Sequence, residues 1–196
     1  MIYWIAYSFL KLLSLIFYPL EVSGREYLPG KGGFILASNH ISNMDPFIVG
    51  LATKRKLSYM AKDSLFKNKI LRVLLKKVEA FPVKRETPDF GALKQTLIRL
   101  KGGWPVVLFP EGTRKKSVAK QEIQSGVGFV AVKSAVPVVP VFIEDSDKVL
   151  PPGRKILRRH RVKVKFGKPL IFQKGQSYSE VAGQIMKEIS ALSQEK

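Results

Sequence analysis

Short apolar runs alternate with amphipathic stretches along most of the chain, and this alternation predicts the order of its elements. Apolar runs typical of strands occupy 34–37, 57–61, 80–83, 106–109, 136–143 and 162–166. Helical spacing of apolar residues, with Asp45-Pro46 and Pro88-Asp89 as start signals, predicts helices over 45–52, 65–78, 88–100, after Gly126 and around 181–189. Strands that alternate with helices favour a single α/β domain, in which helices flank a mixed, mostly parallel sheet.

The first 20 residues differ from the rest, because they are mostly apolar and carry six aromatic side chains and a single charge. Ser8, Lys11 and Ser14 recur about one helical turn apart and predict a thin polar stripe on an otherwise apolar helix. Aromatic rings beside such a stripe favour a helix that lies in a membrane interface. A single membrane span and a helix buried in the core are the alternatives. We therefore predict a membrane-associating helix at 1–20 and a folded domain at 21–196.

The chain is strongly basic, with 34 Lys and Arg residues against 15 Asp and Glu and a formal net charge of +19. Such a charge predicts a polyanionic partner, which is an anionic bilayer, a nucleic acid or an acidic protein. The absence of cysteine excludes disulfides, thiolate metal sites and a cysteine nucleophile. The densest basic segment contains no acidic residue and comprises Arg154, Lys155, Arg158, Arg159, Arg161, Lys163, Lys165 and Lys168.

His40 directly follows the apolar run 34–37, a position where α/β sheets place reactive loops. Asp45 comes five residues later, before Pro46, and is predicted to cap the following helix. A histidine can take the proton of an attacking hydroxyl, and a carboxylate on its other nitrogen fixes the tautomer and stabilises the imidazolium. The hydroxyl would then belong to the substrate. A structural histidine bonded to a helix cap is the alternative, and these residues alone leave both open.

A second segment of chemical interest, 109–114, ends the apolar run at 106–109. Its glycine turn would offer backbone N–H groups to an anion, Thr113 adds a donor, and Arg114 adds a planar fork that matches phosphate. Glu111 would repel a bare phosphate, so we expect it to hold Arg114 or to accept from a glycerol hydroxyl. The alternative is a surface turn with a Glu–Arg pair.

Together these segments resemble the lysophosphatidic acid and glycerol-3-phosphate acyltransferase family. Asn39, His40 and Asp45 match its Asn-His, four residues, Asp pattern, and Phe-Pro-Glu-Gly-Thr-Arg is present whole at 109–114. The resemblance covers about residues 20–170, with departures from the family pattern at Ser64, Lys69 and Lys84. Weaker matches follow in the right order at Lys62 with Leu65-Phe66, at Arg85, at the proline-containing block 136–141 and at 166–170.

The resemblance implies that His40 is a general base, that Asp45 is its partner, and that no metal or cofactor takes part. It further implies that an acyl group passes from acyl-CoA or an acyl carrier protein to the free hydroxyl of lysophosphatidic acid, giving phosphatidic acid. The residues implied to bind the acceptor's phosphate are Arg85, Glu111, Gly112, Thr113 and Arg114, with Lys62 beside them.

The expected partners are an anionic membrane surface, a lysophospholipid and an acyl carrier protein, with no nucleic acid. We expect a peripheral or monotopic protein on the cytoplasmic face of a membrane. One alternative is an acyltransferase for another lyso-lipid acceptor, and Arg114 with Arg85 argues against an acceptor that lacks phosphate. The other is a non-enzymatic basic protein that binds membrane or nucleic acid, and it would leave both motifs unexplained.

Overall fold

Seven short strands form one sheet in the computed structural model, which describes residues 2–84, 89–111, 120–151, 154 and 156–194. Helices flank the sheet, so the predicted single α/β domain with a mixed sheet is confirmed. Two 3-10 turns, Arg25–Tyr27 and Asp63–Phe66, supplement the main elements. In chain order these are α1 (Ile2–Phe17), β1 (Leu20–Ser23), β2 (Ile35–Ser38), α2 (Asp45–Thr53), β3 (Ser58–Lys62), α3 (Lys69–Lys77), β4 (Ala80–Val83), α4 (Phe90–Lys101), β5 (Val106–Leu108), α5 (Lys120–Ser134), β6 (Val138–Glu144), α6 (Ser146–Val149), β7 (Val162–Phe166) and α7 (Tyr178–Leu192).

The strands lie in the order β1-β7-β6-β2-β5-β3-β4. All neighbouring pairs are parallel except β6 and β7, which are antiparallel. The carboxyl ends of β6, β2, β5, β3 and β4 therefore meet at one side of the sheet, which we name the carboxyl edge. Strand β2 lies at the centre, and all four of its residues are buried. The loop after β2, with His40, thus begins at the middle of this edge.

The helices form a layer on each face of the sheet. Connections β2–β3 and β3–β4 step along the sheet in one direction, so right-handed crossovers place α2 and α3 on the same face. The connections through α4 and α5 step back and place these helices on the opposite face. The two buried clusters agree with the placement of α2 opposite α4, α5 and α7, because one contains Tyr18 and Ile48 while the other contains Leu100, Val130 and Ile185.

The structure differs from the predicted elements in four places. Strand β1 and the short helix α6 were not predicted, the stretch 65–78 divides into a 3-10 turn and α3, and α5 begins at Lys120 rather than after Gly126. Gly126 lies inside α5 and does not start it. The next glycine, Gly128, allows close packing, because a Cβ there would lie 1.9 Å from the carbonyl oxygen of Tyr178. Helices α5 and α7 therefore approach each other closely at a position where only glycine fits.

Helix α1 packs one side against the domain, and the predicted polar stripe is wrong in part. Ser14 is buried, and its hydroxyl donates to the carbonyl oxygen of Lys11 over 2.7 Å. The hydroxyls of Tyr3 and Tyr7 donate to the carbonyl oxygens of Arg55 and Leu51, which tie α1 to the end of α2. The packed side thus combines apolar residues with a satisfied serine, a combination that the spacing of polar residues does not reveal.

The other side of α1 is exposed and mostly apolar. Among the described residues, no helix combines the length and apolar character needed to cross a membrane. Strand β1 is parallel to β7, which is antiparallel to β6, so β1 begins at the carboxyl edge. Helix α1 directly precedes β1 and therefore ends at this edge. We name its exposed apolar residues the α1 ridge, which consists of Trp4, Ile5, Phe9, Leu12, Leu15 and Ile16.

Candidate active site

His40 and Asp45 form a buried pair at the carboxyl edge. The Nδ1 atom of His40 lies 2.7 Å from Oδ2 of Asp45, and the two residues are 7% and 0% exposed. His40 is the second residue after β2, while Asp45 is the first residue of α2. The five-residue separation closes a tight loop between strand and helix, and this loop brings the imidazole onto the carboxylate.

The carboxylate of Asp45 collects hydrogen bonds from its own loop and from a distant helix. Its Oδ2 accepts from the backbone N–H groups of Ile41 and Ser42, both over 2.8 Å. Its Oδ1 accepts from the hydroxyl of Ser146 over 2.5 Å. The predicted helix cap is therefore wrong, because Asp45 begins α2 and turns its carboxylate back to the His40 loop. Four donors converge on one buried carboxylate, which fixes its position and that of His40.

These donors also decide the tautomer of His40. The Oδ2 atom of Asp45 is already an acceptor for two backbone N–H groups, so Nδ1 of His40 must donate to it. In the neutral imidazole the opposite ring nitrogen, Nε2, is then an acceptor, and it has no hydrogen-bond partner within the described part of the chain. An imidazole held in this form can take a proton from a hydroxyl placed at Nε2.

Asn39 fastens the start of the loop to the neighbouring strand β6. Its side-chain amide donates to the carbonyl oxygen of Ile143 over 2.8 Å and accepts from the N–H of the same residue over 2.7 Å. The backbone pairing of β2 with β6 ends at Ser38, so the Asn39 side chain continues the ladder for one more step. The sequence singles out Asn39 only as part of a motif, and the structure gives its physical role.

Phe109 joins the second motif to His40. Its ring stacks on the imidazole, with centroids 4.1 Å apart and planes inclined by 23°. This contact arises because β5 lies beside β2 in parallel, so the residue after β5 meets the loop after β2. Glu111, two residues further along, is exposed. Phe109, the first residue of the segment 109–114, therefore meets the first motif at the carboxyl edge.

Lys62 lies at the same edge of the sheet. Lys62 is exposed and ends β3, the strand next to β5, and β4 ends at Val83, two residues before Arg85. Neighbouring strands are about 4.8 Å apart, so these strand ends succeed one another along the edge. Arg85, Gly112, Thr113 and Arg114 lie outside the described residues. Within the described ranges, no group of three or more His, Cys, Asp or Glu side chains could hold a metal ion.

A second polar cluster stands beside Ser146. The carboxylate of Asp145 accepts from Nζ of Lys148 over 2.8 Å and pairs with Nε2 of His160 over 2.9 Å. The hydrogen bond from Lys148, supported by that from His160 and opposed by partial burial, lowers the pKa of Asp145. The backbone N–H of His160 donates to the carbonyl oxygen of Phe17 over 2.9 Å. The predicted basic segment is therefore attached to the end of α1, although the two are far apart in sequence.

Comparison with known proteins decides the family. A family model described as Acyltransferase matches residues 19–144, a range that contains both motifs. The chain belongs to the acyltransferase family. The resemblance drawn from the two motifs is thereby confirmed, and the alternative of a non-enzymatic basic protein is excluded.

Named relatives and a solved structure agree with this assignment. The enzyme is 32% identical over 152 residues to the 1-acyl-sn-glycerol-3-phosphate acyltransferase of Bacillus subtilis, covering 77% of this chain and 73% of that protein. It is 31% identical over 158 residues to the chloroplastic 1-acyl-sn-glycerol-3-phosphate acyltransferase LPAT1 of Arabidopsis thaliana, covering 79% of this chain but only 44% of that protein. The crystal structure of the 1-acyl-sn-glycerophosphate (LPA) acyltransferase from Thermotoga maritima superimposes with a TM-score of 0.75 at 25% identity, covering 97% of this chain and 79% of that one.

Proposed function

We propose that the enzyme transfers a fatty acyl group from a thioester to the free hydroxyl of lysophosphatidic acid, giving phosphatidic acid. The observation that carries this proposal is the stacking of Phe109 on His40, which brings the first residue of the segment 109–114 onto a potential base. The names of the relatives support the acceptor, because both relatives are called 1-acyl-sn-glycerol-3-phosphate acyltransferases. An acceptor with both a hydroxyl and a phosphate fits a site that combines a base with a loop suited to anions.

In the proposed mechanism His40 activates the acceptor directly. Its Nε2 removes the proton of the hydroxyl as the oxygen attacks the thioester carbonyl, and Asp45 stabilises the imidazolium that forms. The tetrahedral intermediate collapses by breaking its carbon–sulfur bond, and the departing thiolate takes the proton back from His40. The ester, the free thiol and the neutral imidazole remain, so no metal or cofactor is needed. Either acyl-CoA or an acyl carrier protein can supply the thioester.

The acceptor's phosphate is proposed to lie on the loop after β5. Gly112 and Thr113 would offer N–H and hydroxyl donors, Arg114 a bidentate fork, and Arg85 a second guanidinium, with Lys62 further along the edge. Glu111 would hold Arg114 or accept from a glycerol hydroxyl. The order of strand ends supports this assignment, since β5, β3 and β4 follow β2 along the carboxyl edge. Phosphate bound there would place the glycerol beside His40.

Replacing Arg114 tests the phosphate assignment. Arg114→Ala should raise the KM for lysophosphatidic acid at least about tenfold and leave the KM for the thioester unchanged, because only the acceptor loses a charged hydrogen bond. Arg114→Lys should restore part of the affinity, since it keeps the charge but loses the fork. Steady-state kinetics with each substrate varied in turn would measure both effects. A rise confined to the thioester KM would contradict the assignment.

Ser146 is proposed to position Asp45, and its replacement gives a separate test. Ser146→Ala removes the donor to Oδ1 of Asp45 and should lower kcat about tenfold to a hundredfold, the range for a charge-assisted hydrogen bond, with both KM values unchanged. Ser146→Thr keeps the hydroxyl and should restore most of the rate. Circular dichroism would verify folding, because Ser146 is fully buried. A wild-type kcat in Ser146→Ala would show that the hydrogen bond plays no part in turnover.

The membrane is proposed as the location of this reaction, with the protein bound peripherally on the cytoplasmic face. The α1 ridge would insert into the interface, and the basic segment attached to the end of α1 would attract anionic headgroups. Apolar insertion by the α1 ridge and electrostatic attraction by the basic segment would then act at neighbouring places on the protein. Removing residues 1–19 would not be a clean test, because Tyr7, Leu10 and Phe17 cover the core.

A panel of substrates tests the proposed reaction as a whole. The purified enzyme would be given labelled acyl-CoA or acyl carrier protein, with lysophosphatidic acid or a lyso-aminolipid as acceptor. We expect labelled phosphatidic acid with at least one of the two thioesters. Acylation of the lyso-aminolipid alone would contradict the proposal and favour the other lyso-lipid class.

A further inference from the structure

Helix α3 exposes an apolar stripe that nothing in the described chain covers. None of its residues is buried, and Ile70, Val73 and Leu74 are 75%, 50% and 50% exposed. Their spacing of three and four residues places them on one side of the helix. Leu65, in the turn before α3, is also exposed. We name these four residues the α3 surface.

Basic residues lie beside the α3 surface. Between Ser64 and Val78 the chain carries no acidic residue, so this stretch has a purely positive charge. Asn68 caps the N-terminus of α3, because its side chain accepts from the backbone N–H groups of Ile70 and Leu71. The stretch is therefore a capped amphipathic helix with an exposed apolar side. Its basic residues are Lys67, Lys69, Arg72, Lys76 and Lys77.

The topology relates this surface to α1 and to His40. Helices α2 and α3 share one face of the sheet, and α1 packs beside α2 on that face through its Tyr3 and Tyr7 hydroxyls. The α1 ridge and the α3 surface therefore both turn away from the same face of the sheet. In addition, α1 ends and α3 begins at the carboxyl edge, since α3 follows the end of β3. The two exposed apolar surfaces thus flank the side of the molecule on which His40 lies.

We propose that the α3 surface is a second bilayer contact, which inserts its apolar stripe among the lipids while its lysines bind anionic headgroups. An amphipathic helix with exposed apolar residues and bases beside them fits an anionic bilayer in both respects. Together with the α1 ridge, it would orient the carboxyl edge toward the membrane surface. This inference goes beyond the proposed function, and lipid binding can be measured without turnover.

The absence of cysteine allows a direct test of insertion. Val73→Cys and Ile98→Cys, labelled with an environment-sensitive fluorophore, form a matched pair, because Val73 and Ile98 are 50% and 53% exposed on opposite faces of the sheet. With phosphatidylglycerol vesicles, the label at 73 should shift to shorter wavelength and be quenched by nitroxide lipids. The label at 98 should do neither. Equal responses at the two positions, or none at 73, would overturn the proposal.

Binding measurements provide the second arm. Ile70→Ser with Leu74→Ser should weaken sedimentation with phosphatidylglycerol vesicles about tenfold or more, because two apolar side chains no longer leave water. The control pair, Phe90→Ser with Ile98→Ser on α4, has similar exposure and should bind as the unmodified chain does. Equal loss in both pairs would overturn the proposal. So would unchanged vesicle binding with lost binding to an acyl carrier protein, because the surface would then serve that protein.

A label in the α1 ridge separates the two membrane proposals. Leu12→Cys tests insertion of α1 independently of α3, since Leu12 is exposed on the ridge. A shift at 12 with none at 73 would leave α1 as a contact and overturn the α3 proposal. A shift at 73 with none at 12 would support α3 and contradict the proposed role of the ridge.

Discussion

His40→Ala should lower kcat for acylation of lysophosphatidic acid about 10²–10⁴-fold while the protein remains folded. The proposed step requires a base at the acceptor hydroxyl, and alanine supplies none. Folding should survive because Asp45 keeps three donors, from Ile41, Ser42 and Ser146, after the imidazole is lost. Initial rates of phosphatidic acid formation would give the loss, and thermal unfolding followed by circular dichroism would verify the fold.

The chain supplies its own control for this experiment, because it contains just two histidines. His160 also pairs with an aspartate, Asp145. His160→Ala, assayed in detergent micelles so that membrane binding does not limit the rate, should keep a rate close to that of the unmodified enzyme. A folded His40→Ala enzyme with full activity would contradict the proposed mechanism, as would equal losses in the two variants.

Asp45→Asn should lower kcat about 10²–10³-fold with little change in either KM. The backbone N–H groups of Ile41 and Ser42 require an acceptor at the position of Oδ2, so the asparagine carbonyl should take that place. Its amide nitrogen would then face the hydroxyl of Ser146, which can turn to accept. The tautomer of His40 is therefore retained, and the variant lacks only the negative charge that stabilises the imidazolium.

Asp45→Asn therefore tests the charge of residue 45 at nearly constant geometry. Asp145→Asn is the matched control, because it removes a similar charge one residue from Ser146 without touching His40. Steady-state kinetics on both variants would separate a local charge effect from a general one. A wild-type kcat in Asp45→Asn would mean that the charge of Asp45 does not contribute to turnover.

The sheet and the candidate residues of the two motifs can be predicted from the sequence, because both depend on local patterns. Apolar runs identified most strands, and their alternation with helices implied parallel pairing, which in turn brings strand ends to one edge. The meeting of His40 with Phe109 follows from that geometry. The pairing of His40 with Asp45 likewise spans five residues and is visible in the sequence.

Other features of the site depend on contacts that no local pattern contains. Ser146 is separated from Asp45 by 101 positions and reaches it because β6 lies beside β2. Asn39 bonds to Ile143 for the same reason. The prediction that Asp45 caps α2 is wrong for a similar reason. An aspartate before a proline is a typical start signal of a helix, but the backbone donors to Asp45 lie in the preceding loop. For α1, apolar residues occupy most of the circumference of the helix, so periodicity could not indicate which side packs.

The most direct test of the proposed function compares two acceptors that differ only in the phosphate. Lysophosphatidic acid and the matching monoacylglycerol present the same acceptor hydroxyl, but the monoacylglycerol carries a second free hydroxyl in place of the phosphate, so only ester formed at the shared position is counted. Under the proposed assignment, only lysophosphatidic acid can use the loop after β5. Initial rates of acylation from one labelled thioester would be measured for both with the full chain. We predict that kcat/KM for lysophosphatidic acid exceeds that for the monoacylglycerol at least about 10²-fold, because the charged hydrogen bonds to phosphate are lost without it. Equal kcat/KM values for the two acceptors would contradict a site built around a phosphate-bearing acceptor.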